Sequence, residues 1–139
     1  MKKKYASALW KGSVKEGNGT ITTQSQTLNN SPYSFKSRFE GSGHTHPDEL
    51  FAAAHAGCFA MALSLILGQA GFTPNSLDAK AEVSMDTDKL EITGSHLTLK
   101  ADIPNISQEK FVELTNAAKD NCPISKAMSV NITLDATLV

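Results

Sequence analysis

The stretch THPDELFAAAHAGCFAMALSLILGQAGF, residues 45–72, reads as one long helix, apolar on nearly every side, with a single cysteine, Cys58, set among alanines and glycine. Pro47 suits the first helical turn, where a missing N–H is not needed, and Asp48 and Glu49 favour the positive end of the helix dipole. Gly68 and Gly71, followed by Pro74, stop it. A helix hydrophobic all round is a buried one, so the rest of the chain is expected to cover it. Cys58 is then either inert core or a site. Leu50 to Leu67 reaches the length at which a membrane span must be weighed. Its six alanines, the polar His55 and Ser64, and its position among many strand-like segments favour a core helix and no membrane.

Working outward, residues 4–14 and 20–28 are strand-like on either side of Glu16-Gly17-Asn18-Gly19, and Asn-Gly is a strong hairpin signal. A third strand is expected through Tyr33, Phe35, Ser37 and Phe39, with Ser34, Lys36 and Arg38 on its other face. Gly41-Ser42-Gly43-His44 then forms a flexible loop into the long helix. Beyond it, Leu77, Ala79, Ala81, Val83 and Met85 alternate as a half-buried strand, which Asp86-Thr87-Asp88-Lys89 turns back. On the returning strand Leu90 and Ile92 fall on even positions but Leu97, Leu99, Ala101 and Ile103 on odd ones. The inward face therefore changes at Gly94-Ser95, where a bulge is expected. Ser107 is a plausible N-cap for a helix over 108–121, with Phe111, Leu114 and Ala118 inward and Cys122 continuing their line. Pro123 takes the chain out of helix, and Val130, Ile132, Leu134, Ala136 and Leu138 alternate as a last strand. The order βββ-α-ββ-α-β, with antiparallel sheets around a long buried central helix, is α+β.

A chain of 139 residues with no linker or repeat is read as one domain, 1–139, large enough to fold without a disulfide. Net charge is −1, and apart from Lys2-Lys3-Lys4 the cations are scattered, so no basic stripe recommends nucleic acid. No apolar run follows those lysines as in a secretory signal, and two cysteines far apart resemble neither a disulfide framework nor a CxxC zinc site. A reducing cytoplasm is the expected compartment. A small sheet does not easily surround a helix that is apolar on every side, and the surplus suggests a two-fold homodimer.

The small residues Ala54, Ala56, Gly57, Ala60 and Ala62 leave room around Cys58, which raises the functional reading above the inert one. His55 is read as a core histidine with a hydrogen-bond partner, with a base as the other reading. His44, His46, His55 and Cys58 permit a metal hypothesis, but two lie on a loop and the other two are too few ligands, so no metal is expected. Arg38 and Glu49, by pattern alone, are a solvated strand residue and a first-turn acid.

PYSFKSRFE at 32–40, HPDELFAAAHAGCFAMALS at 46–64, GFTPNSLD at 71–78 and NCPISKA at 121–127 resemble the OsmC/Ohr family, in particular its OsmC-like branch (osmotically inducible protein C), over essentially the whole chain. His46 departs from that pattern, which tends to have Asn at this cap. The resemblance implies the OsmC-like fold in an intertwined homodimer, and a thiol-dependent peroxidase that reduces organic hydroperoxides and, more variably, hydrogen peroxide. It implies Cys58 as peroxidatic cysteine, Cys122 as resolving cysteine, and Arg38 with Glu49 as the polar pair at the reactive thiol. No cofactor is implied beyond an external dithiol such as dihydrolipoamide or thioredoxin. Phe39, Phe59 and Met61 are candidates for an apolar lining. Glu49 and Cys58 are nine residues apart, about 13 Å along one unbroken helix and near 180° around it. Either the helix is broken between them or Glu49 reaches the Cys58 of the other subunit; the second, which agrees with the surplus apolar surface, is expected, making the sites shared. A redox sensor or a binder of small apolar ligands is the alternative from another class.

Overall fold

In the computed structural model, which describes residues 1–41 and 43–139, the expected order of elements is present with two short helices added. Ser42 of the expected loop lies outside the described residues. The chain groups into two units, residues 1–50 and 51–139.

In the first unit, β1 (Ala6–Lys11), β2 (Asn18–Thr23) and β3 (Ser31–Tyr33) form the antiparallel meander. Its turn is not Asn18-Gly19. Both residues belong to β2, opposite Lys11 and Trp10, and residues 12–17 make the connection, with Gly17 N–H donating to Ser13 O at 2.8 Å. Packing explains the change. Trp10 and Tyr33 pair with Gly19 from either side, their ring centroids 5.4 Å apart, and a Cβ on Gly19 would come within 2.6 Å of both Leu9 O and the Tyr33 ring. Glycine is needed there for close approach.

The third strand is also shorter than its alternation suggests. It ends at Tyr33, and Phe35–Phe39 is a helix, α1. Ser34 and Ser37 cap it reciprocally: Ser37 N–H donates to Ser34 Oγ at 3.2 Å, and Ser34 N–H to Ser37 Oγ at 2.8 Å. Phe35 and Phe39 stand on one side of a strand, but four apart they also meet on a helix, here with centroids 4.7 Å apart.

The long helix α2 spans Pro47–Gln69 without a break. His46 caps it after all, its Nδ1 accepting from Glu49 N–H at 3.4 Å. The expectation of burial on every side does not hold within the chain. Only His55, Phe59, Leu63 and Leu67, one stripe at four-residue spacing, are buried, whereas Met61 and Leu65 are 78% and 64% exposed. By length and composition α2 is apolar enough to cross a membrane; in this fold its buried stripe joins the core of residues 51–139.

In that second unit, β4 (Ser76–Asp86), β5 (Glu91–Asp102) and β6 (Asn131–Leu138) form a sheet in that order. Asp86 Oδ1 accepts from the N–H groups of Asp88 and Lys89, which makes the β4–β5 turn. The change of face comes just before the expected Gly94-Ser95: Ser84 pairs with Gly94 and Met85 with Ile92, so Thr93 is the extra residue. Beside it, a Cβ on Gly94 would lie 3.2 Å from Asn131 O, which keeps β6 close at its start. The expectation of wholly antiparallel sheets fails at β6, which runs parallel to β5. The helices between them, α3 (Gln108–Asn121) and α4 (Pro123–Ala127), carry the chain back along the sheet, so the next strand enters in the same direction. Ser107 caps α3, its Oγ accepting from Lys110 N–H at 3.1 Å. Phe59, Leu63 and Leu67 of α2, Leu97, Leu99 and Ala101 of β5, and Phe111, Leu114 and Ala118 of α3 make one core.

Candidate active site

Cys58 lies on the half-exposed flank of α2, one residue from the buried stripe, and Cys122 is fully buried at the α3–α4 junction. Pro123 explains the junction. Cys122 ends α3 in an extended conformation (φ −63°, ψ 138°) and, as residue before the proline, is at once the N-cap of α4. Its Sγ accepts from Ser125 N–H at 3.3 Å. Cys58 is close enough to this turn for the Ile124 backbone N–H and the Cys122 thiol to bear on its ionisation.

Burial pushes the Cys58 thiol above its ordinary pKa; the Ile124 N–H draws it down and Cys122 adds to the rise. Nothing within residues 51–139 supplies the positive charge that a readily ionised thiol needs. Cys58 opens on an apolar groove of about 550 Å³, lined also by Met61, Ala62, Leu65, Ile66, Asn121 and Pro123. Met61 is thus placed as the sequence suggests, but Phe59 belongs to the core and Phe39 to a separate small pocket with Trp10 and Tyr33. The lining residues recur every three or four positions from Cys58, a signal present in the sequence.

His55 is the core histidine with partners. Its Nδ1 is 2.7 Å from Ser95 Oγ on β5 and its Nε2 2.9 Å from Ser125 Oγ on α4. Ser125 Oγ is in turn 3.1 Å from Cys122 Sγ. Burial alone holds the imidazole below its ordinary pKa. The neutral ring is then the folded form, and its contribution to stability is present above the unfolded pKa near 6.5 and lost as pH falls through the folded value. Urea unfolding from pH 7 to pH 5 should show that loss in the wild type and less of it in His55→Gln.

The described ion pair of Arg38 is with Asp48, the residue before Glu49. Arg38 makes a two-pronged ion pair with Asp48, Nε to Oδ2 at 3.0 Å and Nη2 to Oδ1 at 3.2 Å, and its guanidinium carbon stands 5.5 Å from the Phe39 ring centroid. Glu49 Oε2 accepts from Thr45 Oγ1 at 3.1 Å. The shift by one residue follows from the local geometry: α1 puts Arg38 where the first acid of α2, Asp48, matches both prongs of the fork. Asp48, Ser95 and Ser125 are the residues that sequence reasoning missed. Cys-Pro was a signal for Ser125, since a cap followed by proline at the first helical position begins a helix as well as ending one.

Solved structures with this architecture define the class. An OsmC-like protein from Mycoplasma pneumoniae superposes with a TM-score of 0.77 over 99% of this chain and 98% of its own, at 18% identity. The organic hydroperoxide resistance protein OhrB of Bacillus subtilis does so with 0.64 over 97% and 98%, at 26% identity. Among characterised relatives, peroxiredoxin OsmC of Escherichia coli is 45% identical over 137 residues, 97% of this chain and 96% of that protein. A family model described as OsmC-like protein matches residues 39–137. The chain belongs to the OsmC-like family.

Proposed function

We propose that this protein is a cysteine-based peroxidase that reduces organic hydroperoxides, and more weakly hydrogen peroxide, to alcohols or water. The observation that carries this reading is a half-exposed thiol, Cys58, in the wall of an apolar groove, with a second thiol, Cys122, near enough to influence its ionisation. The relatives named peroxiredoxin and organic hydroperoxide resistance protein support the same chemistry. The Cys58 thiolate attacks one peroxide oxygen, the O–O bond breaks, and the alkoxide leaves with a proton as the alcohol. Cys122 then condenses with the sulfenic acid to a disulfide, releasing water, and a dithiol of the dihydrolipoamide or thioredoxin type restores both thiols. Steady-state consumption of cumene hydroperoxide with dihydrolipoamide, against hydrogen peroxide, tests this. Faster turnover of the alkyl substrate supports the reading, and no turnover of either refutes it.

The remaining machinery is assigned to a homodimer of single OsmC-like domains in the cytoplasm. The exposed Met61 and Leu65 support a further partner for α2, and a second copy is the simplest one. Because α2 is unbroken, Glu49 and Cys58 of one chain stand on opposite sides of it, and Glu49 is assigned to the partner's thiol. Arg38, held by Asp48, supplies the charge that offsets the burial of Cys58 and steadies the departing alkoxide. Arg38→Ala should therefore move the pH profile of Cys58 alkylation upward; an unaltered profile removes Arg38 from the site. The upward push on Cys58 also favours a second reading, a slow redox sensor or a binder of small apolar ligands, which consumes one equivalent of hydroperoxide per subunit and stops.

A further inference from the structure

We infer that Ser125 and His55 form a proton relay that makes Cys122 nucleophilic when it attacks oxidised Cys58; the inference rests on the peroxidase reading and deepens it. A neutral imidazole enclosed in a core needs one donor and one acceptor, and Ser95 and Ser125 satisfy that need. Structural satisfaction requires nothing more. The feature beyond it is the third link, because the hydroxyl that meets His55 Nε2 at 2.9 Å also meets Cys122 Sγ at 3.1 Å. Ser125 has one proton for these two neighbours. When it donates to Nε2, the thiol must donate to Oγ, and His55 Nδ1–H donates to Ser95 Oγ. The donors then run in one direction, from Cys122 through Ser125 to the ring and on to Ser95.

That polarity defines the step. The thiol proton passes to Ser125 Oγ as the Ser125 proton passes to His55 Nε2, leaving an imidazolium held by Ser95 and a thiolate that accepts from Ser125 Oγ–H and Ser125 N–H. The sulfur lone pair forms the Sγ–Sγ bond with Cys58 as its S–O bond breaks, the imidazolium proton returns by way of Ser125 Oγ to the departing hydroxide, which leaves as water, and His55 is neutral again. No oxidant or reductant enters. Water does not provide the same service, since His55 and Cys122 are both 0% exposed. The groups facing the relay are the two thiols, Cys122 through Ser125 and Cys58 on the same helix, together with the uncharged Ser95 of β5; His96, next on β5, points the other way to Thr133 and Asp135. His55 and Ser125 thus touch or serve the resolving sulfur and not the peroxide.

The test follows the two phases after one equivalent of cumene hydroperoxide without reductant, trapping sulfenic acid with dimedone and counting free thiols by mass. The second phase, loss of the Cys122 thiol, should be flat from pH 7 to 9 in the wild type. In Ser125→Ala and His55→Gln it should fall at least tenfold at pH 7 and climb steeply with pH, as for an unassisted thiol; Ser125→Thr should restore the flat profile. A second phase that keeps the wild-type pH profile in both variants, slowed or not, overturns the relay. The same series with diamide, which oxidises dithiols without a peroxide, separates the two claims. A protein inert to hydroperoxide but with the same variant dependence in diamide keeps the relay and loses the peroxidase.

Discussion

Cys58→Ser should abolish hydroperoxide turnover, by at least about a thousandfold, while leaving the fold in place. The size of the effect follows from chemistry at one atom. In the proposed reaction the reacting species is a polarisable thiolate, and a serine hydroxyl is neither appreciably ionised near neutrality nor comparably reactive toward a peroxide oxygen. Groove, amides and neighbouring charges position and stabilise, but without the sulfur there is no acceptor for the transferred oxygen. The substitution is nearly isosteric at a half-exposed position, so circular dichroism and melting temperature should stay close to wild type. Cys122→Ser provides the contrast. Its Cys58 should still be oxidised once, but recycling by a dithiol should be impaired and over-oxidised Cys58 should accumulate under excess peroxide. Wild-type turnover in Cys58→Ser, measured as repeated consumption of cumene hydroperoxide, would place the chemistry elsewhere.

Phe111→Ala should lower the unfolding free energy by about 3–5 kcal/mol, read from urea denaturation at fixed protein concentration. Phe111 is 0% exposed and shares the core with Leu114 and Ala118 of its own helix, Phe59 and Leu63 of α2, and Leu97 and Leu99 of β5. Removing its ring leaves a cavity in the core that α3, α2 and the second sheet all contribute to. For a domain whose total stability is on the order of 5–15 kcal/mol, that is a large share. Its position on the Phe111–Cys122 face means that loosening α3 also disturbs the α3–α4 junction, so slower disulfide formation should accompany the loss of stability. A cost below about 1 kcal/mol would show that α3 is not anchored through this face.

Some of this architecture was legible residue by residue. Ser107 and Pro123 bracket α3 because a cap and a proline act on the backbone locally, and the observed Gln108–Asn121 agrees with both. The bulge at Thr93 was readable from the change of parity between Ile92 and Leu97, since side chains on a strand alternate strictly. Phe35 to Phe39 was misread because its two rings fit a period of two as well as a spacing of four. Only the Ser34-Ser37 cap separates the cases. Asn18-Gly19 was misread because a turn signal and a close-approach glycine look alike until Trp10 and Tyr33 are seen against it.

The sequence alone determines the α+β class, the long apolar helix with Cys58 among small residues, and the line from Phe111 to Cys122, because periodicity, capping and composition act over one or two turns of chain. Tertiary structure alone decides which stripe of that helix is buried, that β6 lies parallel to β5, that Arg38 pairs with Asp48, and that His55 meets serines 40 and 70 residues away. These are outcomes of packing. They depend on which surfaces meet once the chain has closed on itself, and no local pattern records the distance between side chains so far apart in sequence.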